Sequence, residues 1–307
     1  MDEPALMSAP SGEETALLAA FMGDEGLPPR FADLARSLHL PLARRVGDWA
    51  RTRGRTPLVV GICGPQGAGK STLTLLLTQL LKTQGLRTAN LSIDDLYLPR
   101  EARERLARTV HPLLQTRGVP GTHDPAMGLA LLDALGRPGA VALPRFDKAA
   151  DDPAPPVTWP VFEGPADVVL LEGWCVGARP QAPSALVAPV NALEADEDPL
   201  GVWRAFANTA LADAYRPLFA RLDRLVLLTA PDFETVRAWR GEQETRLRAR
   251  LTAEGRDAGR TMDAAALDRF LSHYQRLTEW IAEDLPRIAD IEVRLDERRW
   301  PIGKRGL

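Results

Sequence analysis

The sequence predicts an α/β protein: a parallel sheet of about five strands with helices on both faces. Three observations carry this expectation. Short apolar runs, LVVGIC (58–63), DVVLLEGW (167–174) and RLVLLTA (224–230), have the length and composition of strands buried on both faces. Longer stretches of helical periodicity separate them, and such alternation implies right-handed crossovers within one parallel sheet. The first run also leads through a glycine-rich turn into a helix, and open sheets of this kind bind ligands beyond the carboxyl ends of their strands.

In chain order, residues 1–12 read as a frayed start. From Glu13 to about Gly54 apolar residues recur at helical spacing: Leu17, Leu18 and Phe21, then Phe31, Leu34 and Leu38, then Leu42, Val46 and Trp49. This predicts an N-terminal helical extension over 1–55, packed on a main domain over 56–307. Strand 58–63 opens that domain. A helix follows from Lys70 to about Gln84, with Gly85 as its stop. RTANLSI (87–93) predicts a second strand running into Asp94 and Asp95. A charged helix over about 100–108 precedes a Gly/Pro-rich stretch (118–125), and AMGLALLDALG (126–136) reads as a helix. After strands 167–174 and 224–230 come two long helices, 234–251 and 263–281, and a last strand, ADIEVRLD (289–296). Two Pro-rich segments, 144–160 and 178–199, are long for structureless loops in a compact domain, which marks them as functional.

At 307 residues the chain can bury a full core, and its 45% hydrophobic and 26% charged content is that of a soluble globular protein. A net charge of −3 argues against nucleic-acid binding driven by overall charge. Of the 38 basic residues only Lys70, Lys82, Lys148 and Lys304 are lysine, so a retained lysine suits a place needing a compact ammonium. Cys63 and Cys175 form no CxxC pair and have no histidine at metal spacing, so both read as small buried hydrophobes. The start lacks a basic-then-apolar leader, and no apolar run approaches about 18 residues. The expectation is a cytoplasmic chain with neither membrane nor nucleic-acid partner.

GICGPQGAGKST contains the spacing Gly64-xxxx-Gly69-Lys70-Ser71, a phosphate-binding P-loop, and it has the required strand before it and helix after it. Glycines let the backbone curl so that successive N–H groups point inward at phosphate oxygens, and the helix N-terminus adds its dipole. On this reading Gly64, Pro65, Gln66, Gly67, Ala68, Gly69, Lys70, Ser71 and Thr72 hold ATP, with Lys70 at the β- and γ-phosphates and the Ser71 hydroxyl at Mg²⁺. The fold expectation narrows to the P-loop NTPase type. Such a site also needs a carboxylate at the end of a neighbouring strand, and Glu172 stands there, between four apolar residues and a glycine. Its bland reading is an ordinary strand-end acid.

In NLSIDDLYLP (90–99) two aspartates adjoin where the strand pattern stops. If that strand lies in the same sheet, the pair opens on the P-loop side. A kinase that phosphorylates a hydroxyl needs a carboxylate to accept its proton, whereas a GTPase or motor ATPase does not. Asp94 is then the candidate base. Strand alternation implies that only one of the two aspartates faces the phosphate.

Taken together, strand–P-loop–helix, strand–Asp-x-[aromatic or Leu]-Tyr and strand–Glu-Gly resemble the uridine kinase, pantothenate kinase and phosphoribulokinase group of P-loop kinases. Within that group the resemblance is closest to plant-type D-glycerate 3-kinase and its bacterial relatives. It rests on GPQGAGKSTL (64–73), SIDDLYL (92–98), TRGVPGTHD (116–124), LPRFDK (143–148), WPVFEGP (159–165), LEGWCVG (171–177), VNALE (190–194), WRGEQE (239–244) and LDERRWP (295–301). The resemblance implies Asp94 as base and Ser71 with Glu172 at the magnesium. It implies Asp95, Tyr97, Arg117, His123, Asp124, Arg145 and Lys148 at the acceptor, and Arg240 in a lid helix. Arg237, Arg246, Arg248 and Arg250 share that helix, and most of them must face solvent. An acid acceptor such as glycerate needs fixed cations, and Arg145 and Lys148 flank Asp147 in a lysine-poor chain. Two other readings stay open: a nucleoside or pantothenate kinase, which Tyr97, Phe146 and Trp174 would serve, and a P-loop ATPase or nucleotide-gated regulator with no acceptor.

Overall fold

The structure, a computed structural model, describes residues 9–53, 57–253 and 262–307, the Arg250 side chain excepted. The expected start at residues 1–8 and the expected domain boundary at 55/56 lie outside the described residues.

The chain begins with three helical segments, α1 (Gly12–Asp24), α2 (Phe31–Leu34) and α3 (Leu40–Thr52), the last two joined by a π-helical turn, Ala35–His39. Ser11 caps α1 in a reciprocal capping box with Glu14. Next come β1 (Leu58–Cys63), α4 (Lys70–Thr83) and β2 (Thr88–Ser92). Then follow α5 (Arg100–Thr109), α6 (Pro125–Leu135), and four short strands, β3 (Gly139–Ala142), β4 (Phe146–Asp147), β5 (Asp152–Pro153) and β6 (Val161–Gly164). The chain continues with β7 (Val168–Gly173), α7 (Ala192–Glu197), α8 (Val202–Ala212), α9 (Tyr215–Phe219) and β8 (Arg224–Thr229). It ends with α10 (Phe233–Ala253), α11 (Ala264–Asp284), β9 (Ile291–Leu295) and β10 (Pro301–Arg305).

The main sheet has the order β10-β9-β8-β1-β7-β2. All neighbours are parallel except β10, which runs antiparallel along the β9 edge. The parallel strands are those read from the apolar runs, and β10 is an addition. β1 and β7 are buried along their whole length, as continuous apolar strands between two helical layers must be. On one face Val60, Ile62, Val168 and Leu170 pack against Leu73, Leu76, Leu77 and Leu80 of α4. Leu18, Phe21, Leu38 and Val46 of the N-terminal helices join that same cluster, so the extension shares the core of the main domain. The opposite face is covered by α6, α9 and α11 through Leu131, Leu132, Leu218, Tyr274 and Ile281.

Three expectations need correction. The strand that leads to the acidic pair ends at Ser92, and Ile93–Leu96 form a 3-10 turn instead. The strand-alternation argument about Asp94 and Asp95 therefore does not apply. The Pro-rich segment 144–160 is ordered by a small hairpin of β4 and β5, with β6 pairing back on β3. Segment 178–199 contains a 3-10 turn and α7, and the stretch after it, for which the sequence suggested no element, forms α8 and α9. No helix among the described residues is long and apolar enough to cross a membrane.

Candidate active site

Sheet register brings the first part of the site together. In the parallel ladder Glu172 on β7 lies level with Ile62 of β1 on one side and Ser92 of the edge strand β2 on the other. The turn that leaves β1 and the turn that leaves β2 consequently open over the same carboxyl edge. Between them, under α10 and α11, lies a cavity of about 550 Å³.

The loop from Gly64 forms one wall. Gly67 and Gly69 hold left-handed backbones, φ +82° and +87°, which residues with a Cβ rarely adopt. Gly69 is the N-cap of α4, so the first amides of that helix are free to point at an anion. Gln66, Gly67, Gly69, Lys70, Ser71 and Thr72 line the cavity, whereas Gly64, Pro65 and Ala68 do not. The Lys70 ammonium donates to the Pro65 carbonyl at 3.1 Å, curled over its own loop. Ser71 Oγ donates to Glu172 Oε1 at 3.4 Å. Glu172 is buried, and that burial pushes its carboxyl above the usual range despite the nearby Lys70 charge. A hydroxyl and a buried, charge-seeking carboxylate beside a phosphate cradle are hard oxygen donors of the kind Mg²⁺ takes. The residues fit that ion.

The second wall is the 3-10 turn. Ser92 caps it, accepting the Asp94 N–H. Both Asp94 and Asp95 line the cavity, yet they are held differently. Asp94 accepts the Tyr97 hydroxyl on Oδ1 at 2.9 Å and the Lys148 ammonium on Oδ2 at 2.7 Å. Burial opposes its charge, but Lys148 and Tyr97 more than offset this, and the carboxyl titrates at about 2. Near neutral pH it is ionised. Asp95 turns to the hairpin instead, taking the Phe146 N–H on Oδ1 at 3.0 Å and Arg145 Nη1 on Oδ2 at 3.5 Å. Burial pushes its carboxyl up.

The third wall carries cations. Arg117 lines the cavity, paired with Asp151 and lying 5.5 Å from the Phe146 ring centre. Asp151 is fixed in turn by Arg103, which is fully buried and donates to the carbonyls of Leu98, Gln115 and Asp151. Arg240, from α10, lines the cavity while paired to Glu244 at 2.9 Å. Its helix overhangs the site and adds Gln243 and Leu247 to the lining. The other arginines there face partners away from it: Arg237 meets Asp268, Arg246 meets Glu242 and Arg248 meets the Met262 carbonyl. Arg250 is outside the described side chains.

Three expected acceptor residues stand behind the lining. His123 is buried and stacks on Tyr97 at 4.4 Å between ring centres, with Nδ1 2.6 Å from the Tyr215 hydroxyl. Burial holds it at about 4, against the pull of the Asp94 charge, so the ring is neutral near pH 7. Asp124 caps α6, accepting the Met127 N–H at 2.9 Å. Arg145 is spent on Asp95 and on the Pro144 carbonyl.

The cavity also holds residues that the sequence did not single out: Ser92, Phe270 and Tyr274; Trp174, named there for a nucleoside, lines it as well. Ser92 had a signal, since it opens the quoted stretch SIDDLYL. Tyr274 and Phe270 had none, because they reach the site from a helix some 150 residues downstream of Gly118 in the chain. Gly118 is what admits Tyr274: a Cβ there would lie 2.0 Å from the tyrosine hydroxyl. Its carbonyl accepts the Trp174 indole N–H at 3.0 Å.

No family model matches the chain. It is 31% identical over 263 residues to the chloroplastic D-glycerate 3-kinase of Arabidopsis thaliana, across 80% of this chain and 54% of that protein. The match thus spans about half the length of the plant relative. The chain is 30% identical over 260 residues to the uncharacterized kinase mug58 of Schizosaccharomyces pombe, across 80% of this chain and 90% of that one. A solved D-glycerate 3-kinase from Cryptococcus neoformans superposes with a TM-score of 0.69 at 26% identity, covering 86% of this chain and 98% of its own.

Proposed function

The chain belongs to the family of P-loop kinases that includes the plant D-glycerate 3-kinase, and on that premise we propose that it transfers the γ-phosphoryl group of ATP to a hydroxyl of a small acid, D-glycerate above all, giving 3-phosphoglycerate. The observation that carries this is one cavity lined by a P-loop, by an ionised carboxylate bound to Lys148, and by a second cation, Arg117. An ATPase without an acceptor has no use for the last three. Of the three aromatic residues named for a nucleoside, Tyr97 stacks on His123, Phe146 lies against Arg117 outside the cavity lining, and Trp174 packs edge-on against Tyr274 with its indole N–H bound to the Gly118 carbonyl.

The residues divide the reaction as follows. The P-loop amides and Lys70 hold the phosphates and take up the charge that develops on them. Ser71 and Glu172 would hold Mg²⁺, which supplies further neutralisation of the phosphate oxygens. Lys148 and Arg117 orient the acceptor by its carboxylate. Its hydroxyl oxygen then forms a bond to the γ-phosphorus as the bond to the β–γ bridging oxygen breaks, and the hydroxyl proton passes to Asp94. ADP leaves. Arg240, on the overhanging helix, faces the transferred group. His123 and Asp124 act behind the site, the first by seating Tyr97, the second by starting α6. A cytoplasmic setting, where ATP and Mg²⁺ are at hand, suits this reading.

The test is an acceptor screen with purified protein, ATP and Mg²⁺, covering both glycerate enantiomers, nucleosides, pantothenate and sugars. D-glycerate should be phosphorylated with the highest kcat/KM. Transfer to a nucleoside or pantothenate in its place, or ATP turnover indifferent to every acceptor, would sink the proposal.

A further inference from the structure

The stretches WRGEQE (239–244) and LDERRWP (295–301) lie far apart in sequence, and apart from Arg240 they supply no step above. In the fold they converge on one peptide of the phosphate loop. Arg299, just past β9, holds a left-handed backbone at φ +65°, a conformation that strains a residue with a Cβ. Such strain persists where surroundings over-determine it, and here three contacts do. Arg299 Nε donates to the Gly67 carbonyl at 2.7 Å, Nη1 donates to Glu242 Oε2 at 2.9 Å, and the guanidinium lies 5.2 Å from the Trp239 ring centre. Trp239 is fully buried and donates its indole N–H to the Glu297 carbonyl at 2.6 Å. Gly67 sits so close that a Cβ on it would fall 2.6 Å from Trp239 Cβ.

We propose that Arg299 is a positioning residue for nucleotide binding, which sets the peptide between Gly67 and Ala68 and ties it to the foot of α10. In a trans peptide the C=O and the following N–H point opposite ways. Holding the Gly67 carbonyl on the outside therefore turns the Ala68 N–H inward, where it now makes a long 3.3 Å bond to the Pro65 carbonyl and can be taken over by a phosphate oxygen. Through Glu242 the same guanidinium holds the helix that brings Arg240 to the cavity. The inference rests on reading the loop as the ATP site but not on which acceptor is used.

The test is equilibrium binding of MgATP to the purified full chain with no acceptor present, for Arg299→Ala, Arg299→Gly and Arg299→Lys, with Tm for each. Glycine accepts the left-handed backbone without strain, so Arg299→Gly should fold with a Tm near that of the wild type. Both Arg299→Ala and Arg299→Gly should nonetheless bind MgATP about tenfold more weakly or worse, the loss expected for one charge-assisted hydrogen bond. Arg299→Lys should recover part of the affinity, since an ammonium can reach one acceptor but cannot fork to two. The acceptor KM at saturating ATP should stay at the wild-type value. Wild-type MgATP affinity in a folded Arg299→Gly protein overturns the proposal. So does a loss that tracks Tm across the three variants while the acceptor KM rises in parallel. Failure to phosphorylate glycerate leaves this result readable, because no acceptor enters the binding measurement.

Discussion

Asp94 and Asp95 are neighbours in the chain, yet their partners give them different work. Asp94 faces a lysine and a phenol and stays ionised; Asp95 accepts from the backbone of β4 and from Arg145. Asp94→Asn keeps the shape and removes the proton acceptor, so kcat should fall by about 10²–10⁴ with the ATP KM nearly unchanged. Asp95→Asn should act through the hairpin, raising the acceptor KM more than it lowers kcat. Steady-state kinetics of the two variants at saturating ATP and Mg²⁺ decide the matter, and a dead Asp95→Asn beside an active Asp94→Asn would reverse the assignment. The cations divide in the same way. Arg117→Ala and Lys148→Ala should each raise the acceptor KM, by up to the roughly 2–5 kcal/mol that a desolvated partner of a carboxylate is worth and less where water reaches the pair. Arg145→Ala should do less, since that side chain stands outside the cavity lining. Equal effects of all three on the acceptor KM would undo this ranking.

At the scale of elements, the small hairpin of β4 and β5 owes its place to a side chain that the sequence marks as just another arginine. Arg103 on α5 is buried and bridges three carbonyls and the Asp151 carboxylate. Arg103→Met keeps the apolar stem but takes the donor from three carbonyls, at about 1–3 kcal/mol for each buried acceptor left unsatisfied, while the Asp151 carboxylate keeps Arg117. The loop that carries Lys148 and the partner of Arg117 would slacken with it. Thermal unfolding should show the loss of stability, and the acceptor KM should rise while MgATP binding holds. A stable variant with normal acceptor affinity would deny Arg103 this role. Composition set 144–160 apart as a Pro-rich segment but not as a hairpin, because its strands are two residues each and carry no alternation to read. The strands of the main sheet were legible for the opposite reason: a strand buried on both faces must be apolar throughout.

For the molecule as a whole, two features govern stability. The N-terminal helices contribute to the core cluster that also holds α4 and the sheet, so Phe21→Ala should lower stability by about 3–5 kcal/mol while leaving both KM values alone. Chemical denaturation of that variant measures it, and a negligible change would mean the extension rests loosely on the domain. The second feature is acid sensitivity. His39 and His123 are held at about 4 by burial, below the ordinary 6.5, and burial also lowers His273. The sign follows from proton counting: between pH 6.5 and 4 the unfolded chain binds protons that the folded chain refuses, so stability is intact above 6.5 and falls as pH drops toward 4. Each fully buried ring contributes on the order of 3 kcal/mol to that fall. His39→Gln, remote from the cavity, should flatten the acid limb of a Tm-versus-pH curve without touching kcat. An unchanged limb would show that His39 is charged in the folded protein.

By itself the sequence determined what short-range chemistry determines. The glycine spacing specifies a phosphate loop, because glycines take without strain the φ values that curl the backbone inward. Continuous apolar runs specify buried parallel strands, and a carboxylate at the end of such a run specifies a charged edge beside the loop. Tertiary structure decided everything that depends on which side chains converge. It split the acidic pair into a carboxylate held by Lys148 and Tyr97 and a hairpin anchor, since a 3-10 turn, unlike a strand, puts both on the same side. It moved Arg145, His123 and Asp124 behind the cavity lining and brought Tyr274 and Phe270 into it from a distant helix. It also brought Glu242 and Trp239 together on Arg299, which in turn holds one carbonyl of the loop. None of these contacts leaves a local pattern in the chain. Partners so far apart in sequence meet only through the register of the sheet and the packing of the helices over it.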